Sequence, residues 1–447
     1  MTDRVQTERI PKEGLELVNR LRSAGYEAWF VGGCVRDLLM GNEPNDWDIC
    51  TRAKPEQTKA VFADYRIHET GIKHGTVLVM SGGAGYEITT YRTEREYSDH
   101  RRPDRVEFIS ELSGDLARRD FTVNAMAYHP DEGIVDLYGG REDLERGIIR
   151  AVGDPEERFG EDALRMLRAV RFAGRFSFQI EPMTGAAIHQ RRKDLHYIAS
   201  ERLFAELKGI LSASKPSDLL LEFPDLFGEI LPELVPMFGF DQRNPHHDGD
   251  CWQHTVRVVD GVPADSVLRL AALFHDTGKP ACFHMDEQGV GHFYGHAKDS
   301  CKLAHQALMR LKCDKETRQS VETLVLMHDD ILPQTASGVR RFLAKQGREA
   351  GEQLIALRRS DILGQSDYQR EEELVQLAQF EHLLADEIKN GSCLTIKQLA
   401  ISGADLIGCG IPAGPEVGRL LKVALSGVLD GAVANQREQL LDYIKDM

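Results

Sequence analysis

The sequence predicts a multidomain protein: an α+β head, with a small mixed sheet and helices, followed by an all-α neck, a helical body and a helical tail. At 447 residues the chain is longer than one hydrophobic core normally supports, so two to four domains are expected. Residues 26–150 alternate strand-like and helix-like segments, which is typical of an α+β domain. From Pro155 onwards nearly every segment has a helical pattern.

These patterns divide the chain into four predicted parts. They are the head (1–150, with a short leading helix in 1–25), the neck (151–225), the body (226–385) and the tail (386–447).

Composition indicates a soluble globular protein of a reducing compartment, with 42% hydrophobic and 28% charged residues. No apolar run approaches the ~18 residues of a membrane span, and the first residues are too polar for a signal peptide. The 8 cysteines contain no C-x-x-C spacing, which favours reduced thiols over a disulfide framework or a zinc ribbon. We therefore expect a cytoplasmic protein with no membrane partner.

The most informative motif of the head joins VGGCVRD, which begins at Val31, to Asp46-Trp47-Asp48. A Gly-Gly turn that opens a helix presents backbone N–H groups to phosphate. Carboxylates at i and i+2 of a strand point to one side, where they jointly hold hard divalent cations. Each half alone is equally well explained as a turn or a surface acid pair. In this order and spacing they predict a nucleotide site with a Mg²⁺-bound triphosphate.

Two later segments of the head support a nucleotide site. Glu87 lies in a β-branched and aromatic strand and is a candidate third carboxylate, although an exposed strand glutamate is an equal alternative. Arg118 and Arg119 are adjacent, and paired guanidinium groups suit the oxygens of a triphosphate.

A single helix is predicted from about Pro155 to Phe176. Its polar face carries Arg158, Glu161, Asp162, Arg165, Arg168, Arg171 and Arg175. Asp162 and Arg165, at i and i+3, together match the amino group and ring nitrogen that cytosine and adenine share. A solvated face with internal ion pairs is the alternative, but the excess of arginine favours an anionic ligand. Phe172 lies on this face too, where packing is favoured over stacking on a base.

These blocks resemble the class II tRNA nucleotidyltransferases, the CCA-adding enzymes, which are close relatives of bacterial poly(A) polymerases. The matching segments, in family order, are GGCVRD, DWD, EITTYR, RRDFTVNAMA, DLYGGREDL (136–144) and EDALRMLRAVRF (161–172). The resemblance implies template-independent addition of CCA to the 3′ end of tRNA. It also implies CTP and ATP as substrates, Mg²⁺ as cofactor and no DNA partner.

The resemblance implies roles for individual residues. The implied contacts of the triphosphate and Mg²⁺ are Gly33, Arg36, Asp46, Asp48 and Glu87. The implied contacts of the incoming nucleotide are Arg119, Asp162, Arg165, Arg168 and Arg171. Within this set Asp162 and Arg165 form a protein template that selects CTP and then ATP.

A polar segment, Thr93–Arg105, has no hydrophobic period and predicts a mobile surface loop, with a disordered connector as the alternative. Its Tyr-x-Asp-x-Arg-x-Pro pattern consists of Tyr97, Asp99, Arg101 and Pro103. In the family this pattern marks enzymes that add all three nucleotides, so it favours complete CCA addition.

The body contains an ordered histidine and aspartate pattern, with a His-Asp dipeptide at the end of an apolar helix. Mixed nitrogen and oxygen ligands suit a transition metal. The pattern resembles the HD phosphohydrolase superfamily. The implied ligands are His254, His275, Asp276 and Asp361, with His296 and His328 as candidates for a second metal or a phosphate. Chance is the alternative in a chain with 16 histidines, and such domains also persist as helical scaffolds.

An RNA partner must be reconciled with a net charge of −16, which opposes nonspecific phosphate binding. Local basic surface such as Arg191-Arg192-Lys193 is one candidate contact, and a solvated helix end is its alternative. The glycine-rich segment 408–418 of the tail is another, although a plain turn between helices is slightly favoured there.

Three functions are compatible with the sequence. The first is a CCA-adding nucleotidyltransferase. The second is a poly(A) polymerase or a CC-adding enzyme of the same family, which the pattern from Tyr97 to Pro103 disfavours. The third is an HD phosphohydrolase with the head as an RNA-docking scaffold, which does not explain why the head keeps its carboxylates and arginines.

Overall fold

The computed structural model describes residues 7–69, 71–95 and 105–445, which form two compact units. The first unit comprises the chain up to 215 and 222–232, and the second comprises 216–221 and the chain from 233 onwards. The predicted loop pattern from Tyr97 to Pro103 lies outside the described residues. The predicted boundaries at 150, 225 and 385 stay predictions.

The chain is rich in helices throughout. The first eleven are α1 (Lys12–Ser23), α2 (Gly33–Leu39), α3 (Pro55–Val61), α4 (Leu112–Ala117), α5 (Gly140–Arg146), α6 (Pro155–Glu161), α7 (Leu164–Phe176), α8 (Pro182–Arg191), α9 (Ser200–Leu211), α10 (Ser217–Glu222) and α11 (Pro224–Ile230). The next ten are α12 (Cys251–Gly261), α13 (Ser266–Phe274), α14 (Lys279–Cys282), α15 (His296–Arg310), α16 (Lys315–Met327), α17 (Ala336–Gly364), α18 (Arg370–Lys389), α19 (Gly403–Gly408), α20 (Pro415–Asp430) and α21 (Arg437–Lys445).

The first unit contains the predicted mixed sheet, so the α+β prediction is confirmed. Its strands are β1 (Ala28–Val31), β2 (Asp48–Thr51), β3 (Arg66–His68), β4 (Thr76–Ser81), β5 (Ala84–Thr90), β6 (Arg92–Arg95), β7 (Arg105–Phe108), β8 (Met126–His129), β9 (Gly133–Asp136), β10 (Ile148–Ile149) and β11 (Gln179–Ile180). Seven strands form one sheet in the order β3-β4-β5-β2-β1-β8-β9. Strands β2 and β5 are parallel, and the other neighbours in this sheet are antiparallel.

Strand β1 lies between two hydrophobic cores. Ala28 and Phe30 belong to the core that α1 and α2 cover, whereas Trp29 and Val31 belong to the core that α4 covers. This alternation is what a strand buried on both faces requires, because successive side chains point to opposite sides. The sheet therefore holds the end of β1, and the Gly-Gly turn after it, in a fixed position.

The prediction of one helix from Pro155 to Phe176 is wrong, because the helix is broken at Asp162. Its backbone is extended there (φ −138°, ψ 103°), and its Oδ1 accepts the N–H of Leu164 at 3.1 Å. Aspartate side chains compete with the helix for backbone N–H groups, which favours helix ends over helix interiors. The spacing argument that placed Asp162 and Arg165 on one face of a continuous helix therefore does not hold.

Among the described residues of the second unit, the regular secondary structure is helical apart from one short hairpin, β12 (His284–Met285) and β13 (Gly291–His292). Helices α12, α13, α16 and α17 pack against one another. Helices α19 to α21 enclose a smaller core that includes Leu406, Leu420 and Leu440. Within the described ranges, no helix is long and apolar enough to cross a membrane.

Candidate nucleotide site and histidine–aspartate cluster

The Gly-Gly turn leads from β1 directly into α2. Gly32 has φ +81°, a left-handed conformation that strains any residue with a Cβ. A Cβ at this position would also lie 2.7 Å from Nη1 of Arg119. The turn thus brings the backbone at Gly32, just before α2 begins at Gly33, close to one of the predicted nucleotide-binding arginines.

The predicted carboxylates meet at the parallel pair of strands. Asp48 opens β2 and is paired in register with Glu87 of β5, so both side chains leave the same face of the sheet. Burial raises the pKa of Asp48 to about 6; Arg119 opposes this rise, and the charges of Glu87 and Asp46 add to it. Mutual repulsion of this kind arises where carboxylates are close together. The structure therefore brings Asp46, Asp48 and Glu87 into one acidic site.

The arginines from the head have protein partners in the structure. Arg36 is buried, and it donates to Asp37 Oδ1 at 2.8 and 2.9 Å and to Asn124 Oδ1 at 2.6 Å. Arg119 donates to Oδ2 of Asp115 at 3.3 Å. Each guanidinium is therefore fixed in direction by a carboxylate.

Two arginines of α7 are held in the same way. Arg168 donates through Nε and Nη2 to Asp120 Oδ2, at 3.0 and 2.7 Å, and Nε of Arg171 donates to Glu206 on α9. Burial alone raises the pKa of Asp120, but the Arg168 charge and the hydrogen bonds from Asn124 and Arg168 outweigh it and hold this pKa at about 2. The pair is thus fully ionised at neutral pH.

Asp162 and Arg165 lie on neighbouring turns, but they do not contact each other through their charged ends. Oδ2 of Asp162 accepts Nη2 of Arg202 at 3.4 Å. The buried Arg165 donates to Glu161 and to two backbone carbonyls, those of Arg158 (3.0 Å) and Arg118 (3.1 Å). Both groups that were predicted to read a base are therefore bonded to protein in this structure.

Three partner residues were not identified from the sequence. Asp115 is completely buried and accepts from both Arg118 and Arg119. Arg202 and Glu206 lie one turn apart on α9, which packs against α7. Their i, i+4 spacing was a usable signal, because such residues share one helical face. Asp115 offered the same kind of signal, because it precedes Arg118 by three residues and Arg119 by four.

In the second unit the predicted histidine and aspartate side chains converge. His254 Nε2 lies 3.1 Å from Asp361 Oδ1, and Asp276 Oδ2 lies 3.5 Å from His254 Nε2 and 3.3 Å from His275 Nε2. His275 Nε2 is 3.8 Å from Asp361 Oδ1. The four residues come from α12, the segment just after α13, and α17, so packing of these helices creates the cluster.

His296 and His328 extend the cluster on the other side of Asp276. Oδ1 of Asp276 lies 3.4 Å from His296 Nε2 and 3.6 Å from His328 Nε2. Asp276 therefore bridges two groups of potential metal ligands, one with His254 and His275 and the other with His296 and His328.

Hydrogen bonds fix the tautomers of these histidines. Nδ1 of each ring bonds to a backbone carbonyl: His254 to Gly364, His275 to Ala272, His296 to Phe293 and His328 to Val325. A carbonyl only accepts, so Nδ1 carries the hydrogen and the neutral ring keeps its lone pair on Nε2. The lone pairs face each other in two pairs. The Nε2 atoms of His254 and His275 lie 3.3 Å apart, and those of His296 and His328 lie 3.1 Å apart. Such an arrangement is stabilised by a shared cation.

The cluster opens into a cavity of about 350 Å³ whose lining includes Asp276, Asp361, His296 and Lys279. Nζ of Lys279 lies 2.7 Å from Asp276 Oδ2. The cavity therefore combines candidate metal ligands with a cationic side chain that is suited to an anionic substrate.

Family models match three stretches of the chain. The Poly A polymerase head domain matches residues 28–150, and the probable RNA and SrmB-binding site of polymerase A matches residues 177–238. A putative tRNA nucleotidyltransferase domain 2 matches residues 285–444.

Curated relatives match over nearly the whole length. The CCA-adding enzyme of Levilactobacillus brevis is 35% identical, with 99% of this chain and 100% of its own chain covered. That of Lacticaseibacillus paracasei is 34% identical, with 98% and 96% covered.

Solved structures of similar length share the fold. The Bacillus stearothermophilus CCA-adding enzyme in complex with CTP has a TM-score of 0.69 and 29% identity, with 97% of this chain and 96% of its own covered. The Thermotoga maritima CCA-adding enzyme complexed with tRNA has a TM-score of 0.64 at 22% identity, with 98% and 96% covered.

Proposed function

Because this chain belongs to the family of CCA-adding enzymes, we propose that it adds CCA to the 3′ end of tRNA from CTP and ATP without a nucleic-acid template. The observation that carries the proposal is the acidic site at the parallel strands, where Asp48 is paired in register with Glu87. The tRNA 3′-hydroxyl is the nucleophile and the α-phosphorus of the nucleotide is the point of attack. The activity belongs in the cytoplasm, where tRNA is processed.

Asp46 and Asp48 are the proposed Mg²⁺ ligands, with Glu87 assisting. Burial raises the pKa of Asp48, Arg119 opposes the rise, and the nearby carboxylates of Glu87 and Asp46 add to it. A hard cation fits a site with three such carboxylates. When bound, Mg²⁺ orients the triphosphate and neutralises charge that develops on it. The proposed triphosphate contacts are Gly33 and Arg36, and Arg119, Arg168 and Arg171 are proposed contacts of the incoming nucleotide.

Asp162 and Arg165 are the proposed selectors of the base. Because Arg202 now holds Asp162, and Glu161 now holds Arg165, base recognition on this proposal exchanges these protein partners for the nucleotide. Cytosine and adenine both offer the donor and acceptor that such a pair can bind.

RNA contact is proposed for the neck and the tail. The match of residues 177–238 to a probable RNA-binding segment supports the neck. In the basic cluster there, Arg191 lies 2.7 Å from Asp194 and Arg192 lies 3.3 Å from Asp225, so phosphate contact would compete with these ion pairs. For the tail, the glycine-rich turn at 408–418 is the proposed contact, where Gly410 and Gly414 have positive φ.

The test is incorporation of labelled nucleotides into a tRNA that lacks its 3′ CCA. We expect three added nucleotides with CTP and ATP together, two with CTP alone, and one with ATP on a tRNA that ends in CC. Addition of a run of adenosines would instead identify a poly(A) polymerase. Addition that stops after two cytidines, with ATP present, would identify a CC-adding enzyme.

A second activity, hydrolysis of a phosphate ester, is proposed for the histidine–aspartate cluster. The observation that favours it is the convergence of imidazole lone pairs on Asp276 and Asp361. His254, His275, Asp276 and Asp361 would hold a transition metal such as Mn²⁺, Co²⁺ or Ni²⁺, and His296 and His328 would share Asp276 with a second ion. When bound, the metal supplies a nucleophile from water at neutral pH.

This second proposal is tested with the chelated full chain, which is reloaded with single metals. We expect a chromogenic phosphate ester to be hydrolysed with Mn²⁺, Co²⁺ or Ni²⁺ and not with Mg²⁺ alone. Metal content of the purified chain, measured by mass spectrometry, is an independent readout. A chain that neither retains nor responds to these metals has only a helical scaffold here.

A further inference from the structure

We propose that Phe172 is a positioning residue for nucleotide addition, whose aromatic ring orients three arginines of the nucleotide site. This inference rests on the proposed function of the head. Phe172 lies on α7, only 6% exposed, and it was not among the residues assigned a role. The inference starts from the guanidinium groups that lie near its buried ring.

Three guanidinium groups lie within cation–π distance of this ring. The Cζ atoms are 4.4 Å from the ring centroid for Arg171 and 5.4 Å for both Arg36 and Arg168. An aromatic face attracts such a cation within about 6 Å. Arg36 belongs to α2 in the sheet domain, whereas the other two arginines belong to α7. The ring is therefore a common neighbour of nucleotide-site arginines from two different elements.

The carboxylate partners alone do not fix all three arginines relative to each other, although Asn124 links Arg36 to Asp120 and so to Arg168. Arg36 is bonded to Asp37, Arg168 to Asp120 and Arg171 to Glu206, which are three separate acids. Like charges around one point repel, so each guanidinium is expected to move away from the others. The shared ring opposes this separation, because its π-electrons attract all three cations.

Arg36 is the most buried of the three arginines, so its charge depends most on stabilising neighbours. Burial lowers the pKa of Arg36, although Asp37 opposes this effect. Its guanidinium also lies 4.7 Å from the ring centroid of Phe176, which is stacked on Phe172 with an interplanar angle of 6°. The two rings together thus form an aromatic support for a buried charge.

A direct base-stacking role for Phe172 does not fit this geometry. The ring centroid of Phe121 lies 5.8 Å away in a T-shaped contact, and Phe176 is stacked with its centroid 5.8 Å away. A base would need an open ring face, and this side chain is buried. The ring therefore acts through the arginines and not on the nucleotide.

The test replaces Phe172 with a series of phenylalanines that carry one, two or three ring fluorines. Fluorine withdraws charge from the ring face and weakens a cation–π contact, while the shape changes little. We expect the KM for CTP and for ATP to rise steadily with each fluorine, reaching about threefold to thirtyfold, with kcat within about twofold. Calorimetry of CTP binding should show the same trend in Kd, so the result does not depend on turnover.

The matched control is Phe159 of α6, which is also buried and whose ring lies over no guanidinium among the described residues. The same fluorine series there should leave KM and Kd unchanged. The inference would be overturned if all fluorinated rings at Phe172 gave the same KM and Kd, or if the series at Phe159 gave the same trend. A parent protein that adds CCA normally while the Phe172 series is flat refutes this inference alone. A parent that adds no nucleotide and binds no CTP refutes the proposed function as well.

Discussion

The ion pair between Asp120 and Arg168 offers a quantitative test of how the nucleotide site is stabilised. Asp120 Oδ2 accepts two bonds from Arg168, and its Oδ1 accepts Nδ2 of Asn124 at 3.0 Å and the backbone N–H of Phe121 at 2.9 Å. The Asp120 side chain is 11% exposed, so solvent screens this charge little. We predict that Asp120→Asn, which keeps the shape and removes the charge, destabilises the first unit.

The magnitude follows from the pKa of Asp120, which is held at about 2 against an ordinary value of 3.8. One pKa unit corresponds to ~1.4 kcal/mol, so the ionised form of Asp120 contributes about 2 kcal/mol to the free energy of unfolding. Both oxygens of Asp120 accept hydrogen bonds, so in either orientation the NH₂ group of asparagine faces another donor. We therefore expect a loss of at least about 2 kcal/mol at pH 7.

The pH dependence has a definite sign. A carboxyl with a lowered pKa in the folded state contributes its full stabilisation above its unfolded pKa, and this contribution is lost as the pH falls through the folded pKa. For Asp120 the window therefore lies between pH values of about 4 and 2. The difference between parent and Asp120→Asn should be equal at pH 7 and pH 5, and smaller at pH 3.5.

Urea denaturation followed by tryptophan fluorescence measures this difference. The chain has 3 tryptophans, and in a Trp252→Phe background the remaining Trp29 and Trp47 report on the first unit. Asp64→Asn is the control, because Asp64 makes an exposed ion pair with Arg20 and should leave the midpoint unchanged. Equal midpoints for parent and Asp120→Asn at pH 7, or a difference that grows on acidification, would refute the reasoning.

Three further predictions concern the two sites. Asp48→Ala should abolish incorporation of both C and A with an unchanged circular dichroism spectrum, because a metal ligand is lost; near-normal turnover would contradict the placement of the active site. Asp162→Ala should reduce rejection of UTP and GTP by about tenfold or more, since one lost paired group removes ~1–3 kcal/mol of discrimination, and unchanged selectivity would exclude a protein template. His275→Ala should remove transition-metal-dependent hydrolysis while CCA addition stays within about twofold, as separate ligand sets require, and joint loss of both activities would argue against two sites.

The sequence predicted those features of the site that depend on short-range geometry. The i, i+2 spacing of Asp46 and Asp48 and the β-branched segment around Glu87 predicted a strand origin for all three carboxylates. Asp48 and Glu87 do lie in strands, but the prediction is wrong for Asp46, which precedes β2. The position of Glu87 opposite Asp48 was not predictable in the same way. It depends on the register of a parallel pair between distant segments, and no local pattern encodes that register.

The sequence was less informative about the partners of the charged side chains. Helical periodicity predicted the apolar face of α7, but it continued the helix through Asp162, where the side chain bonds to the backbone of Leu164 instead. Similarly, an excess of arginine suggested free cations for an anionic ligand. In the structure Arg165, Arg168 and Arg171 all pair with acids, two of which lie elsewhere in the chain.

The carbonyl bonds of the histidine cluster differ in range along the chain, and this difference bears on the order in which the cluster forms. His275, His296 and His328 each bond to the carbonyl three residues earlier, so each ring is oriented as soon as its own turn forms. His254 instead bonds to Gly364, 110 residues away, and gains its orientation only when α12 and α17 meet. During folding, His275, His296 and His328 are thus oriented before His254 is. If the cluster holds a metal as proposed, the cation would find these side chains already ordered, and the entropy of fixing them would not weaken its binding.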